Sequence, residues 1–179
     1  MDKYKLKFTQ LEQEVFSMLC QKAGKKLSQR EIAIMLNVSP TAISNTIKRL
    51  AEKGLAKVEK TRTINFISFN RENPRAIDLK MTENLRSMFL SGASDYLEEQ
   101  LAGSTIILFG SFCRGEDTIE SDIDIAVIGR KDKMLKLEPY EKLLDKKINV
   151  NFYDSWGSIH KHLRNNILNG IILHGAVEL

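Results

Sequence analysis

The residues most able to do chemistry lie in one stretch of the chain, residues 105–129. Gly110 and Ser111 interrupt an apolar run, and Asp122 and Asp124 stand at the start of a second one. Residues two apart in a strand point to the same face, so both carboxylates are expected on one side of a sheet. Adjacent carboxylates repel each other unless a cation lies between them, and Mg²⁺ takes carboxylate and phosphate oxygens. The pattern therefore indicates a metal–nucleotide site.

Gly110 and Ser111 suit the phosphate side of such a site. Glycine lets the backbone approach a ligand closely, and a serine at a helix start offers its hydroxyl and N–H, where phosphate binds well. Arg114 could touch phosphate, although a surface salt bridge with Glu116 or Asp117 is an equally simple interpretation. The predicted site residues are Gly110, Ser111 and Arg114 for the nucleotide, and Asp122 and Asp124 for catalysis and the metal. The alternative, a solvated strand end beside a helix cap, requires no ligand.

The stretch resembles the signature of the DNA polymerase beta-like nucleotidyltransferases. Gly-Ser, ten intervening residues and Asp-Ile-Asp form that signature here, and the segment FGSFCRGE…SDIDIAV is most similar to the minimal nucleotidyltransferases. The resemblance covers roughly Leu101 to the C-terminus. It implies that Asp122 and Asp124 bind Mg²⁺ and that Gly-Ser holds a nucleoside triphosphate. It also implies a third carboxylate on a later strand.

The third carboxylate is where this chain departs from the family. The strand expected at Ile148–Tyr153 has Asn151 at the best-matching position and Asn149 on the same face, whereas Asp154 has the opposite parity. Asparagine supplies neither a negative charge nor a general base. Mg²⁺ often takes only one or two carboxylates from the protein, so the cation can still bind. We therefore expect nucleotide binding with weak or absent transfer.

Charge divides the chain into two parts. Residues 1–80 carry 16 Lys+Arg against 8 Asp+Glu, a net charge of +8, whereas residues 81–179 carry 11 against 15, a net charge of −4. A basic first half indicates a polyanionic partner.

No apolar run approaches the length of a membrane span, and Met1–Thr9 has no signal-peptide core, so a cytoplasmic location is expected. Cys20 and Cys113 are predicted to be reduced thiols.

The first part of the chain has three helix signals followed by two β-prone segments. Helices are predicted to begin at Thr9 and Ser28, each with a capping-box pattern, and at Ser39, where proline follows at the favoured first position. Residues 55–59 and 64–69 are β-prone. This order, and the phrase LSQREIAIMLNVSPTAISNTIKRLAEKGL, resemble a winged helix-turn-helix of the kind found in transcription regulators.

The resemblance to a winged helix implies a surface for duplex DNA. In such folds the second helix of the motif enters the major groove, with small polar side chains and Asn toward bases and Lys or Arg toward phosphates. The predicted DNA-binding residues are Ser39, Thr41, Ser44, Asn45, Lys48 and Arg49 on that helix, and Lys60 and Arg62 in the wing. Binding as a homodimer on a two-fold site is expected. A motif used only for protein contacts is the alternative, and the basic excess argues against it.

The expected architecture is α+β. It consists of a winged helix-turn-helix at residues 1–72, a connecting helix at 73–91 and a nucleotidyltransferase-like domain, with a small mixed sheet flanked by helices, at 92–179. Within that last domain, further helices are predicted at 134–145 and 155–168, and a last apolar piece at 171–173.

Two functions are consistent with this architecture. The first is a DNA-binding transcriptional regulator whose second domain binds Mg²⁺ and a nucleotide and is catalytically impaired. The alternative is an active Mg²⁺-dependent nucleotidyltransferase that transfers a nucleoside monophosphate to a protein or small molecule. Some minimal nucleotidyltransferases are antitoxins that adenylylate a helical ribonuclease toxin, so the resemblance also admits a toxin partner.

Overall fold

The computed structural model describes residues 6–178; the first five residues of Met1–Thr9, on which the expectation of no signal peptide rests, lie outside that range. The chain divides into two compact units, Met1–Lys80 and Met81–Leu179. Among the described residues, no helix combines the length and the apolar character that a membrane crossing requires. Each unit has a hydrophobic core of its own.

The first unit contains three helices and a small antiparallel sheet. Its elements are α1 (Gln10–Gln21), β1 (Leu27–Ser28), α2 (Gln29–Leu36), α3 (Pro40–Glu52), β2 (Ala56–Lys60) and β3 (Asn65–Phe69). The strand order is β1-β3-β2. β1 was not expected from the sequence, because two residues are too few to show alternation; Leu27 is buried there and pairs with Ile67. The predicted order of three helices and a hairpin is confirmed.

Both predicted capping boxes are present in the first unit. The Thr9 hydroxyl accepts a hydrogen bond from the Glu12 N–H, and the Glu12 carboxylate accepts one from the Thr9 N–H. Ser28 and Glu31 repeat the arrangement at α2. These reciprocal bonds satisfy backbone donors that a helix start would otherwise leave unpaired. They fix the residues at which α1 and α2 begin.

A long helix, α4 (Pro74–Leu90), follows, and the division between the two units falls inside it. The Asn73 side chain accepts a hydrogen bond from the Arg75 N–H, as expected for a helix start before proline. Ala76 is buried in the core of the first unit, and Met88 is buried in that of the second. The sequence-based expectation of one helix up to about Leu90 is confirmed.

The second unit is built on a four-stranded mixed sheet of order β6-β5-β4-β7. Its elements are α5 (Ala93–Gln100), β4 (Thr105–Phe109), α6 (Gly110–Cys113), β5 (Ile123–Ile128), α7 (Glu138–Leu144), β6 (Ile148–Tyr153), a 3₁₀ turn (Trp156–Ser158), α8 (Lys161–Leu168) and β7 (Ile171–His174). β5 runs parallel to β6 and antiparallel to β4. The apolar piece after α8 is thus an edge strand, which pairs antiparallel with β4.

Two helix predictions in the second unit were too long. The helix expected at 134–145 begins only at Glu138, because Pro139 favours the first turn of a helix. The helix expected at 155–168 is interrupted by Ile159, which has extended dihedrals and is buried, so a 3₁₀ turn and α8 replace it. In both places burial or proline chemistry prevails over apolar periodicity.

Alternation along the sheet determines which face carries the predicted site. Ile107, Phe109, Ala126 and Ile128 are buried on one face, together with Ile167 of α8. Asp124 has the parity of Ala126 and Ile128, so its side chain leaves the sheet on the α8 face. In the β5–β6 register Asp124 is opposite Asn149, which puts both side chains on that face.

Candidate metal–nucleotide site and DNA-binding surface

The turn after β4 brings Gly110 directly against a carboxylate of the next strand. Gly110 has φ +80°, a left-handed conformation that favours glycine. A Cβ built there would lie 2.5 Å from Asp124 Oδ2, closer than such atoms approach in proteins. Phe109, the last residue of β4, is opposite Asp124 in the antiparallel register. The two motifs predicted from sequence, Gly-Ser and Asp-x-Asp, therefore meet at one place.

The two aspartates differ in their surroundings. Asp122 is exposed just before β5, whereas Asp124 is half-buried within it. Burial raises the pKa of Asp124, the Asn149 hydrogen bond lowers it in part, and the negative charge of Asp122 raises it further; the net shift is upward. Like-charged neighbours in a partly buried site produce such a shift, and a cation between them would relieve it. The carboxylate arrangement thus has the electrostatics of a cation site.

Asn149, not Asn151, is the side chain of β6 that reaches the aspartates. Its Nδ2 donates to Asp122 Oδ2 at 3.0 Å, and the β5–β6 register places Asn149 directly opposite Asp124. Asn151 lies two residues further along β6 and is opposite Ala126. The prediction that Asn151 occupies the position of the family's third carboxylate was therefore wrong, and Asn149 lies there instead. A match of sequence motifs cannot distinguish two residues that lie two positions apart on the same face of a strand. Only the pairing of β6 with β5 shows which of the two asparagines lies beside the aspartates.

Arg114 makes the salt bridge that was the alternative to a phosphate contact. Its Nε donates to Glu116 Oε2 at 2.9 Å, and one terminal nitrogen donates to Asn166 Oδ1 at 3.1 Å. These contacts tie the end of α6 to α8. The phosphate contact by Arg114 remains a prediction. It would require the guanidinium to bind phosphate in addition to Glu116 and Asn166.

A buried ion pair supports the loop between the two motifs, and sequence reasoning missed it. Lys146 Nζ lies 3.2 Å from Asp117 Oδ2, with both side chains almost fully buried. Asn84 Nδ2 donates to Asp117 Oδ1 at 2.6 Å. Lys146 also donates to the carbonyls of Thr118 and Ser121, directly before the first aspartate. The adjacent lysines at 146 and 147 gave no sequence signal that one of them is buried.

The donor set near the Gly-Ser turn fits a hard divalent cation held jointly with phosphate. Among residues 6–178 no group of three or more His, Cys, Asp or Glu side chains could hold a metal. Two carboxylates are nevertheless a usual protein contribution to Mg²⁺, which takes its remaining oxygens from water and substrate phosphates. Asp122 also lines a groove of about 490 Å³ that includes Lys142 and Lys147.

A second cavity of about 590 Å³ lies at the other end of the sheet, where Ile128 and His174 line it. His174 contacts Ser94 Oγ at 3.0 Å through Nε2 and Glu98 at 3.1 Å through Nδ1. This has the residue types of a catalytic triad, but Ser94 is fully buried. A nucleophile must reach its substrate, so the contact is a packing feature that joins α5 to β7.

The exposed face of α3 presents most of the residues predicted to bind DNA. The residues exposed along it are Thr41, Ser44, Asn45, Lys48 and Arg49. Ile43, Ile47 and Leu50 are buried on the opposite face. Ser39 is the N-cap, and its hydroxyl accepts a hydrogen bond from the Ala42 N–H. A DNA contact by Ser39 would therefore share that hydroxyl with the helix start.

The basic residues of this surface are not equivalent. Arg49 Nε lies 3.3 Å from Glu12 Oε1, so its guanidinium is anchored to α1. In the hairpin, Lys60 and Arg62 are exposed on and beyond the end of β2. Lys57, on the same hairpin, pairs with Glu72. The structure thus arranges the predicted side chains on one helix and one hairpin, with DNA contact itself still a prediction.

Comparison with known families agrees with this two-part description. Residues 93–178 match a family model described as "Polymerase beta, Nucleotidyltransferase", and residues 12–63 match one described as "HTH domain". These are the two families that the sequence resembles, and that recognition is confirmed. The chain combines a helix-turn-helix domain with a nucleotidyltransferase domain. No curated protein matches the chain.

The solved structures that match this chain include ZitR of Lactococcus lactis and AdcR of Streptococcus pyogenes. A point mutant of Lactococcus lactis ZitR is 16% identical, with 56% of this chain and 66% of that chain covered and a TM-score of 0.41. Wild-type ZitR in complex with DNA is 17% identical over 55% and 65%, with the same TM-score of 0.41. The adhesin competence repressor AdcR of Streptococcus pyogenes is 16% identical over 55% and 71%, also at 0.41. This chain thus spans slightly less than two thirds of the ZitR chains, and likenesses this distant carry no argument about function.

Proposed function

We propose that this protein is a DNA-binding transcriptional regulator whose second unit binds Mg²⁺ together with a nucleoside triphosphate. The observation that carries the proposal is the contact of Gly110 with Asp124, which joins the Gly-Ser turn and the aspartates into one site. A glycine without a Cβ leaves the backbone open to phosphate, and the carboxylates supply the charge that a cation needs. Such a protein acts in the cytoplasm, where nucleotide and DNA are both available.

Different residues of the second unit bind the cation and the triphosphate. Asp122 and Asp124 hold the cation through carboxylate oxygens, and Ser111 and the Gly110 backbone contact the triphosphate. When bound, Mg²⁺ neutralises phosphate charge and orients the phosphates. Asn149 keeps the aspartates in place by hydrogen bonding, and Lys146 holds the loop before them. Arg114 reaches phosphate only by sharing its Glu116 and Asn166 partners.

The first unit binds duplex DNA through α3 and the β2–β3 hairpin, as a homodimer on a two-fold site. The match of residues 12–63 to a helix-turn-helix family supports this, as does the net charge of +8 on residues 1–80. Lys48 is exposed and reaches phosphate, and Asn45 has the side chain that can pair with an adenine edge. Lys60 and Arg62 place the hairpin against the DNA backbone.

Transfer by the second unit is weak or absent in this proposal, because an asparagine stands on β6 beside the aspartates. Loss of general-base help alone costs about a hundred- to ten-thousand-fold. The alternative function is an active Mg²⁺-dependent nucleotidyltransferase of the antitoxin type, with a protein acceptor such as a toxin. The match of residues 93–178 to a nucleotidyltransferase family favours it.

One pair of measurements tests the proposal and separates it from the alternative. Calorimetry with ATP or GTP in Mg²⁺ should show binding that EDTA abolishes, and a labelled-nucleotide assay should show little transfer to the protein or to added acceptors. Absence of Mg²⁺-dependent binding for every nucleoside triphosphate would contradict the proposal. Transfer at an ordinary enzyme rate, about 1 per second or more, would establish the alternative instead.

A further inference from the structure

Asn149 occupies an unusual place in the second unit, since one neutral amide bonds one acidic residue of the site and lies opposite the other. Its Nδ2 donates to Asp122 Oδ2 at 3.0 Å, and the β5–β6 register sets it opposite Asp124. The amide nitrogen must be the atom that faces the carboxylates, because the amide oxygen would meet them lone pair to lone pair. The orientation therefore follows from chemistry.

This orientation has a consequence for cation binding. A side chain on the neighbouring strand contributes a metal ligand only through an oxygen, and Asn149 presents its N–H donors instead. The amide takes one acceptor position on Asp122, and the partial positive charge of its N–H stabilises a carboxylate that a cation would otherwise stabilise. The protein then offers a cation the remaining oxygens of two carboxylates, which leaves most of the coordination shell of Mg²⁺ to other donors.

Building on the function proposed above, we propose that Asn149 is a positioning residue that holds Asp122 and Asp124 together without a metal and makes cation binding depend on the nucleotide. A divalent cation alone binds weakly, because the amide already balances part of the carboxylate charge. A cation that arrives with a triphosphate brings its own phosphate oxygens, and two carboxylates then suffice. The site therefore takes the cation–nucleotide complex as a unit.

The chain offers a matched pair of variants for the test. Asn149→Asp adds a carboxylate beside the aspartates with almost no change of shape. Asn151→Asp adds the same charge to the same face of β6, opposite Ala126 and one alternation away. Both positions are exposed, so both variants are expected to fold. Mn²⁺ serves as the probe, and electron paramagnetic resonance measures protein-bound Mn²⁺ with and without ATP, against a reference that contains ATP but no protein because ATP itself binds the ion.

The expected result is a difference between the two variants in Mn²⁺ affinity without ATP. Asn149→Asp should bind Mn²⁺ alone at least about tenfold more tightly than the natural protein, since a third anionic ligand is added. Asn151→Asp should match the natural protein. ATP should strengthen Mn²⁺ binding strongly in the natural protein and much less in Asn149→Asp. Asn149→Ala should weaken Mn²⁺–ATP binding several-fold, because the aspartates lose the amide that positions them.

Two outcomes would overturn the inference. The first is equal Mn²⁺ affinity in both aspartate variants; the second is tight Mn²⁺ binding by the natural protein without ATP. Failure of the underlying function gives a different result, in which the natural protein binds neither Mn²⁺ nor Mn²⁺–ATP. In that case, a gain of Mn²⁺ affinity in Asn149→Asp but not in Asn151→Asp would still support the placement of Asn149 beside the two aspartates. Unfolding curves of Asn149→Ala identify any loss that comes from misfolding.

Discussion

Glu12 of the first unit and Asp124 of the second are carboxylates removed from water whose pKa values shift in opposite directions. Glu12 of the first unit is buried, yet it is hydrogen-bonded to Thr9 and paired with Lys53 and Arg49. Burial by itself raises the pKa of Glu12, but the Thr9 bond and the two cations outweigh it, and the pKa lies below its ordinary value. In the second unit, burial and the nearby negative charge of Asp122 raise the pKa of Asp124, and the neutral amide of Asn149 offsets this only in part.

The difference separates a structural carboxylate from one arranged for a ligand. A buried charge that the fold uses is satisfied by groups of the fold itself. A carboxylate whose charge is only partly balanced leaves capacity for a cation from outside, and such perturbed groups concentrate at functional sites. The second unit also contains a buried acid, Asp117, that is paired with Lys146 and accepts a hydrogen bond from Asn84. The contrast is therefore between roles and not merely between units.

The largest effect is expected from removing the unbalanced carboxylates. Asp122→Ala and Asp124→Ala should each abolish Mg²⁺-dependent nucleotide binding, because each change removes half of the negative charge that the protein offers the cation. Calorimetry with ATP measures the loss. Asp154→Ala, an exposed position just beyond the other end of β6, is the matched control and should bind as the natural protein does. Unchanged binding in both aspartate variants would place the site elsewhere.

Breaking the satisfied pair of the second unit should cost stability. Lys146→Met leaves Asp117 buried without its cation, which typically costs about 3–5 kcal/mol of unfolding free energy. The variant should also weaken nucleotide binding, because Lys146 holds the Ser121 carbonyl just before Asp122. Urea unfolding and calorimetry measure the two effects.

The neighbouring residue provides the control for that change. Lys147 is largely exposed and pairs with Glu141 at the surface. Lys147→Met should therefore leave the stability nearly unchanged, as exposed pairs contribute little. If the two lysine variants lost equal stability, the buried pair would have no special role.

In the first unit, Glu12→Gln should destabilise the fold by about 2 kcal/mol at neutral pH, the scale of a hydrogen bond to a charged group. Because the folded pKa lies below the unfolded value of about 4.3, the stabilisation by Glu12 is present above that value. It is lost as pH falls through the folded pKa. The difference in unfolding free energy between Glu12→Gln and the natural protein should therefore vanish in acid.

Unfolding at pH 7 and in acid measures that gap. Glu14→Gln, an exposed change on the same helix, is the control and should show no such pH dependence. A gap that stayed constant down to pH values below the folded pKa would show that the ion pairs of Glu12 do not stabilise the fold.

The smallest expected effect concerns DNA. Lys48→Ala should weaken binding several-fold and reduce the slope of log K against log salt by about one, as loss of one phosphate contact does. Arg49→Ala removes both a basic group and a partner of Glu12, so it should also lower stability. Fluorescence anisotropy of labelled DNA over a salt series measures DNA binding by both variants. Lys161→Ala, an exposed helix residue of the second unit, should bind DNA normally.

Much of the fold could be predicted from sequence because local rules dominate it. The capping boxes at Thr9 and Ser28 and the α4 start at Asn73 depend on residues within a few positions of each other. The signature from Gly110 to Asp124 has a turn and a strand of clear pattern, and both appear as expected. The lengths of α7 and α8 were overestimated, since apolar periodicity ignores proline and extended buried residues.

The sequence by itself determined that Asp122 and Asp124 share a face, that Gly110 ends a strand, and that the first part of the chain is basic. Parity, turn chemistry and composition are properties of neighbours along the chain. Only the tertiary structure decided that Asn149 rather than Asn151 meets the aspartates and that Lys146 is buried with Asp117. Strand register and burial depend on residues far apart in sequence, whose pairing is set by the packing of the whole sheet.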